Sequence, residues 1–253
     1  IAVCPCTYYS KELDVATAVH GHDFIAEGVS ESLDQLNAFL STWVEMKILG
    51  RIGLGALGGQ TGRILKRTIE WRTSPSPGFV WRADDRNVQS FIEPMHLPPT
   101  AKGLPSPRTK STGATVGDAY EKALKPEEQA LVPKAGGTLT YLAQDVPQIQ
   151  YAAKMVMQDA SKPTATTVAR LKRVGRYLIS HPVTELHYPI QDLPSEVMVE
   201  GDSDWAGSAD AKSTQCSVML FGYHCPEVLT SNQTTIATAS AIAELLALNR
   251  AGA

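Results

Sequence analysis

Apolar side chains recur along this chain at two spacings, and the spacing switches several times. Over residues 15–26, Val15, Ala16, Ala18 and Val19 run into a His20-Gly21-His22-Asp23 tip, and Phe24, Ile25 and Ala26 return from it. This predicts a strand-turn-strand unit. From Ser30 the period lengthens: Leu33, Leu36, Phe39, Leu40 and Trp43 recur at helical spacing, with Ser30 as the expected N-cap. Extended runs are expected at 44–49, 63–71 and 79–81, separated by Gly-rich and Ser-Pro turns as in an antiparallel meander. A short helix starting near Asp84 carries Val88, Phe91 and Ile92. Residues 97–117 change character: Pro98, Pro99, Pro105 and Pro107 stand among Ser, Thr, Lys102, Arg108 and Lys110, which reads as a linker or surface loop. Helical spacing resumes near Gly137, through Leu139, Leu142, Val146, Ile149 and Val156. It returns over 164–179, with Val168, Leu171, Val174, Leu178 and Ile179 on the apolar side. After Pro189 and Pro194 the pattern is strand from Val197, strand at 217–222, turn at Cys225 and Pro226, strand at 228–230, then helix from about Ala239. No internal repeat interrupts this order. Trp43, Trp71 and Trp81 read as core or sheet residues.

Length and composition narrow the classes. A chain of 253 residues holds one large domain or two small ones, and at 43% hydrophobic it can bury a core. The formal net charge of -3 argues against a free-standing, sequence-blind nucleic-acid binder, which is usually basic, while leaving room for a local basic cluster. Cys4-Pro5-Cys6 is too short a spacing for a zinc knuckle, and with Cys216 and Cys225 it reads as ordinary reduced thiol. No apolar run is long enough to span a bilayer and no signal peptide is visible, so an intracellular chain, cytoplasmic or nuclear, is expected. A start at Ile1 suggests a frame that opens inside a longer one.

Candidate chemistry concentrates near the C-terminus. One acid-bearing segment is Gly201-Asp202-Ser203-Asp204-Trp205-Ala206-Gly207; the other is Ala241-Ile242-Ala243-Glu244-Leu245-Leu246-Ala247-Leu248. A lone ionised group on so apolar a helix must face a partner, a metal or water, and an exposed strip or a Lys pair would serve as well. Asp204 either shares the Asp202 face of a strand or holds the turn at Trp205, and the turn is the preferred reading. Lys172, Arg173 and Arg176 align on one helix face, suited to successive phosphates or simply to water. His20 and His22 lack a third ligand nearby and read as a solvated pair.

Four stretches, taken in order, resemble the Pol polyprotein of copia-type LTR retrotransposons. Val19-His20-Gly21-His22-Asp23-Phe24 looks like the polymerase signature hairpin, with the following helix and Val44-Glu45-Met46-Lys47 in the family's order. Tyr141-Leu142-Ala143-Gln144-Asp145-Val146-Pro147-Gln148-Ile149 resembles the connecting helix, and Leu171-Lys172-Arg173-Val174-Gly175-Arg176-Tyr177-Leu178 the basic helix after it. Asp202 to Gly207, Lys212-Ser213-Thr214 and Ala243-Glu244 resemble the opening of ribonuclease H. The resemblance implies an α/β mixed (α+β) fold: a partial reverse transcriptase palm at 1–96, an irregular linker at 97–136, a helical thumb or connection at 137–194, and a truncated ribonuclease H-like sheet with its helix at 195–253. It implies catalytic Asp202, Glu244 and Asp23, with Asp202 and Glu244 sharing Mg²⁺, since paired hard cations on carboxylates drive phosphodiester hydrolysis. Lys172, Arg173 and Arg176 would then contact nucleic acid. The partners implied are an RNA-DNA hybrid or template-primer and the rest of the polyprotein, with no membrane. His22 stands where the family has its first Asp, and the family's later acids would fall beyond Ala253, so a catalytically incomplete chain is expected. The alternative is a non-catalytic nucleic-acid-binding module derived from the element.

Overall fold

A computed structural model describes residues 5–54, 60–98, 100–108, 124–208 and 210–252. Cys4, Lys110 and much of the expected linker, 109–123, lie outside the described residues. The chain divides into two compact units, Ile1–Gly62 and Arg63–Ala253, so the stretch expected to form one palm through residue 96 is split between them. Among the described residues the fold is mixed α/β, with three small antiparallel sheets and six α-helices.

In the first unit, β1 (Thr7–Ser10), β2 (Val15–His20) and β3 (Asp23–Glu27) form an antiparallel meander. His20 pairs with Asp23 across a tight turn whose Gly21 takes φ +61°, a conformation that suits a residue without a Cβ. Then comes α1 (Ser30–Leu40). Ser30 is its first helical residue and not its cap; Val29 holds the N-cap position and supplies no side-chain acceptor. Residues 45–50 adopt no regular element where a strand was expected. Val15 is the one buried residue among those described in this unit, and Trp43 is 74% exposed, so it is neither a core nor a sheet residue.

The next sheet is β4 (Thr61–Ile64), β5 (Arg67–Arg72), β6 (Gly78–Ala83) and β7 (Leu186–Pro189), in that spatial order, and the second unit begins within β4, at Arg63. The run expected at 63–71 is a hairpin, bent at Leu65 and Lys66, whose φ values are +49° and +60°. Neither is the Gly or Asn that usually announces such a turn. Four helices follow: α2 (Asp85–Ile92), α3 (Pro126–Leu142), α4 (Gln150–Gln158) and α5 (Ala165–Ser180). They enclose the main core, with Phe91, Val132, Leu139, Leu142, Ile149, Val156, Leu171 and Val174 all sealed from water. The helix expected from Gly137 instead starts at Pro126, inside the expected linker. Pro at the first position costs no hydrogen bond, and Gly136 sits where a Cβ would strike Met157 of α4. The glycine is therefore a packing residue between α3 and α4.

Asp84 caps α2: its Oδ1 accepts from the Arg86 main-chain N–H at 3.0 Å, and its Oδ2 accepts from Arg86 Nη2 at 2.9 Å. Hydrogen bonding from the Arg86 side chain, against the opposing effect of burial, holds the Asp84 carboxyl below its ordinary value. The sign follows: this stabilisation is present above the ordinary aspartate range (about 3.9) and is lost as pH falls through the lowered value. Asp84→Ala is expected to cost about 1 kcal/mol at neutral pH. The gap between variant and parent urea midpoints should shrink on acidification below the ordinary aspartate value.

The last sheet has the order β10-β9-β8, from β8 (Met198–Ser203), β9 (Thr214–Phe221) and β10 (His224–Asn232), and α6 (Ser240–Ala251) packs on β8 and β9. The β9–β10 turn lies at Gly222, φ +60°, and Tyr223. Cys225 and Pro226, expected to make that turn, fall in a bulge inside β10 where the register shifts between His224 and Glu227. Pro fits a bulge because it has no N–H to give the ladder. No helix among the described residues is long and apolar enough to cross a membrane.

Candidate nucleic-acid interface and the dispersed acids

Strand alternation settles where the two ribonuclease-like acids point. A Cβ added to Gly201 would lie 3.3 Å from Leu248 Cδ2, so the Gly201 side of β8 faces α6. Val199, Gly201 and Ser203 are half-buried on that side, whereas Met198, Glu200 and Asp202 are exposed on the other. Asp202 pairs across the sheet with Cys216, and Cys216 with Thr230. Thr230 donates its hydroxyl to Gln150 on the α4 side. Glu244 belongs to α6, whose Ala243 and Ala247 are buried. The sheet therefore separates Asp202 from Glu244, and the two do not fit a shared Mg²⁺. Asp202 Oδ1 instead accepts from the Ser203 main-chain N–H at 2.8 Å. Among the described residues no group of three or more His, Cys, Asp and Glu side chains is placed to hold a metal ion.

Asp204 has a structural task. Its Oδ1 accepts from Thr214 N–H at 2.6 Å, and its own N–H donates to Thr214 O at 3.0 Å. The loop it starts is pinned by Trp205 Nε1 donating to Ala237 O at 3.1 Å and Ala206 N–H donating to Ser213 Oγ at 3.2 Å. Asp23 sits at the exposed end of β3, opposite His20, with His22 exposed beside it.

The basic residues of α5 stand together as the sequence places them. Val168, Leu171, Val174, Tyr177 and Leu178 bury the other side of the helix, leaving Lys172, Arg173 and Arg176 half-exposed. A segment at 101–108 lies along this helix. Arg176 Nε donates to Lys102 O at 2.8 Å, Leu104 N–H donates to Arg176 O at 3.2 Å, and Ser180 Oγ donates to Leu104 O at 2.8 Å. Arg176 thus anchors the segment with one edge of its guanidinium, through the main-chain carbonyl of Lys102. Arg108, further along, stacks its guanidinium over the Tyr151 ring at 4.7 Å. Arg170 is not part of the cluster; its Nη1 donates to Asp159 Oδ2 at 2.6 Å.

Two further polar centres carry no sequence signal, because their partners are far apart in the chain. Arg67 Nε donates to the buried Asp145 Oδ1 at 2.6 Å, and Trp81 Nε1 donates to the same oxygen at 3.1 Å. Lys154 Nζ, half-buried on α4, donates to Thr214 Oγ1 at 2.8 Å. Burial pulls the Lys154 ammonium below its ordinary pKa, opposed by the carboxylates of Asp204, Asp210 and Asp159 and reinforced by Arg170. Lys154 lies in a groove of about 740 Å³ that α3 and α4 form with β10.

No protein-family model, no curated protein and no solved structure matches this chain.

Proposed function

We propose that this chain is a segment of a copia-type reverse transcriptase and ribonuclease H polyprotein that binds nucleic acid without cutting or extending it. The observation that carries the reading is the helix face of Lys172, Arg173 and Arg176, beside which the 101–108 segment is fixed. Three cations on one turn-and-a-half of helix meet successive phosphates without reading sequence. The order of the resembling stretches supports the lineage. The non-catalytic part of the reading rests on the sheet that stands between Asp202 and Glu244, because in-line phosphodiester hydrolysis needs its metals and carboxylates at one point.

Titration of a fluorescent RNA-DNA hybrid against the full chain tests both parts. Binding is expected at low salt, with log K falling linearly against log salt. Lys172→Ala with Arg173→Ala should weaken it and flatten the slope by about 2. These two are chosen over Arg176 because they do not hold the 101–108 segment; equal melting midpoints would confirm an intact fold. Absence of binding at low salt would remove the proposal. RNA-strand cleavage, or template-dependent extension with dNTPs and Mg²⁺, would overturn its non-catalytic part.

A further inference from the structure

The segment at 101–108 belongs to none of the stretches that carry the family resemblance, yet it is fixed against α5. The Lys102 carbonyl accepts from Arg176 Nε, the Leu104 N–H donates to Arg176 O, and the Leu104 carbonyl accepts from Ser180 Oγ. Gly103 permits this approach, because a Cβ there would strike the Ser180 side chain. At the far end Arg108 lays its guanidinium over the Tyr151 ring of α4 at 4.7 Å, which restricts where that charge can stand. The segment therefore bridges α5 and α4. Its main chain from Lys102 to Arg108 spans at most about 22 Å.

Charge decides what the segment does there. From Leu97 to Arg108 the sequence carries Lys102 and Arg108 and no carboxylate. A segment that masked the α5 cations by standing in for nucleic acid would carry acids; this one adds to the positive field. Among the described residues none of Lys102, Arg108, Lys172, Arg173 and Arg176 has an ion-pair partner. Only Arg108, Arg173, Arg176 and Arg250 lack one among the described arginines, and three of these four stand on this surface. Arg170, on the same helix, is neutralised by Asp159. Arg176 gives only Nε to the segment, and its Nη atoms have no hydrogen-bond partner among the described residues. We infer that the 101–108 segment is the second half of a nucleic-acid site, in which Lys102 and Arg108 bind backbone phosphates beyond those met by Lys172, Arg173 and Arg176, and Tyr151 is the positioning residue for Arg108. This rests on the α5 reading above and carries it to a different element. At a rise of about 3.4 Å per nucleotide, the reach of the segment covers about six nucleotides. Phosphate contacts of this kind carry no base preference.

The test uses the full chain and the fluorescent RNA-DNA hybrid, with the slope of log K against log salt as the readout. Lys102→Ala and Arg108→Ala replace exposed side chains, and each should weaken binding and flatten the slope by about 1. Arg108→Lys should restore the slope but not the whole affinity, since lysine keeps the charge and lacks the planar stack. Tyr151→Leu should weaken binding with less change of slope than Arg108→Ala, and Tyr151→Phe, which keeps the ring, should match the parent. Gly103→Val drives the segment off Ser180 and leaves every charge in place, so it too should weaken binding. Tighter binding by Gly103→Val would show that the segment covers the α5 face, and would overturn the inference. If Lys102→Ala and Arg108→Ala keep the parent slope while Lys172→Ala with Arg173→Ala flattens it, the α5 reading stands and this one falls. If the parent chain does not bind the hybrid at low salt, both fall.

Discussion

Asp145→Ala is expected to destabilise the second unit by about 3–5 kcal/mol, because it leaves the Arg67 guanidinium without its charge partner in a nearly sealed site. The Asp145 side chain is only 3% exposed and that of Arg67 13%. Arg67 also gives Nη2 to Gln144 Oε1 at 2.9 Å and lies over the rings of Trp81, at 5.6 Å, and Tyr141, at 5.2 Å. The centre joins the hairpin β4–β5, strand β6 and the end of α3. Tyr141 ties the same hairpin by donating its hydroxyl to Leu65 O at 2.6 Å. Loss of the carboxylate therefore loosens the seam between sheet and helices rather than one contact. Asp145→Asn keeps an acceptor for Trp81 Nε1 and removes the charge, so its smaller deficit separates the hydrogen bond from the ion pair. Urea unfolding of both, with Arg67→Met and the Arg67→Met/Asp145→Leu double variant, completes the measurement. The double variant should recover much of the loss, since replacing a buried pair is far milder than breaking it. A single-variant cost below about 1 kcal/mol would show that water already reaches the pair.

The contrast between Asp145 and Asp202 shows which features a sequence exposes. Helix α5 was legible because Val168, Leu171, Val174 and Leu178 recur on its buried side, although Ile179, expected with them, is 40% exposed; α2 was legible from Asp84 and Val88, Phe91 and Ile92. The order of β8, β9, β10 and α6 was legible from period-two runs ended by a helix-like block. The β4–β5 hairpin was hidden because its positive φ values fall on Leu65 and Lys66. The true start of α3 was hidden because Pro133, Gly136 and Gly137 imitate breakers, while tertiary packing against Met157 supplies what propensity lacks. The Asp145–Arg67 pair could not be foreseen at all, since 78 residues separate its members.

The candidate acids fail for a different reason. Their positions along the chain place Asp202 on a strand and Glu244 on the helix after it, as expected, yet face is a separate variable from element. A shift of one residue reverses every side chain of a strand. Here Glu200 and Asp202 share the wet side and Val199, Gly201 and Ser203 the helix side. The alternation was present in the sequence: two acids spaced by two already mark the solvated row, and the glycine between them marks where a helix comes close. The expectation of convergence came from family resemblance, which supplies order but not register. The alignment of Lys172, Arg173 and Arg176 on α5 required no register between elements, only helical spacing within one.

Phe91→Ala is the second large effect, expected at about 3–5 kcal/mol. Phe91 is 0% exposed and lies on α2 inside the cluster that α3, α4 and α5 complete. Alanine would leave a cavity that Val132, Leu139 and Leu171, all sealed from water, have little freedom to fill. The surrounding helices are held apart by their own contacts, so collapse is partial and the cavity cost adds to the lost transfer energy. In urea the midpoint should fall with the slope unchanged, because the surface exposed on unfolding is nearly the same. Val88→Ala, one turn earlier on the same face and smaller, should cost less and keep the same slope. This ordering separates a specified core from a loosely packed interior. A chain without a specified interior would give a broad, non-cooperative transition in the parent, and both substitutions would leave it unmoved. A sharp transition that Phe91→Ala shifts further than Val88→Ala means that the jigsaw of α2 against its neighbours decides the folded state, and with it the placement of the α5 cations that the nucleic-acid reading requires.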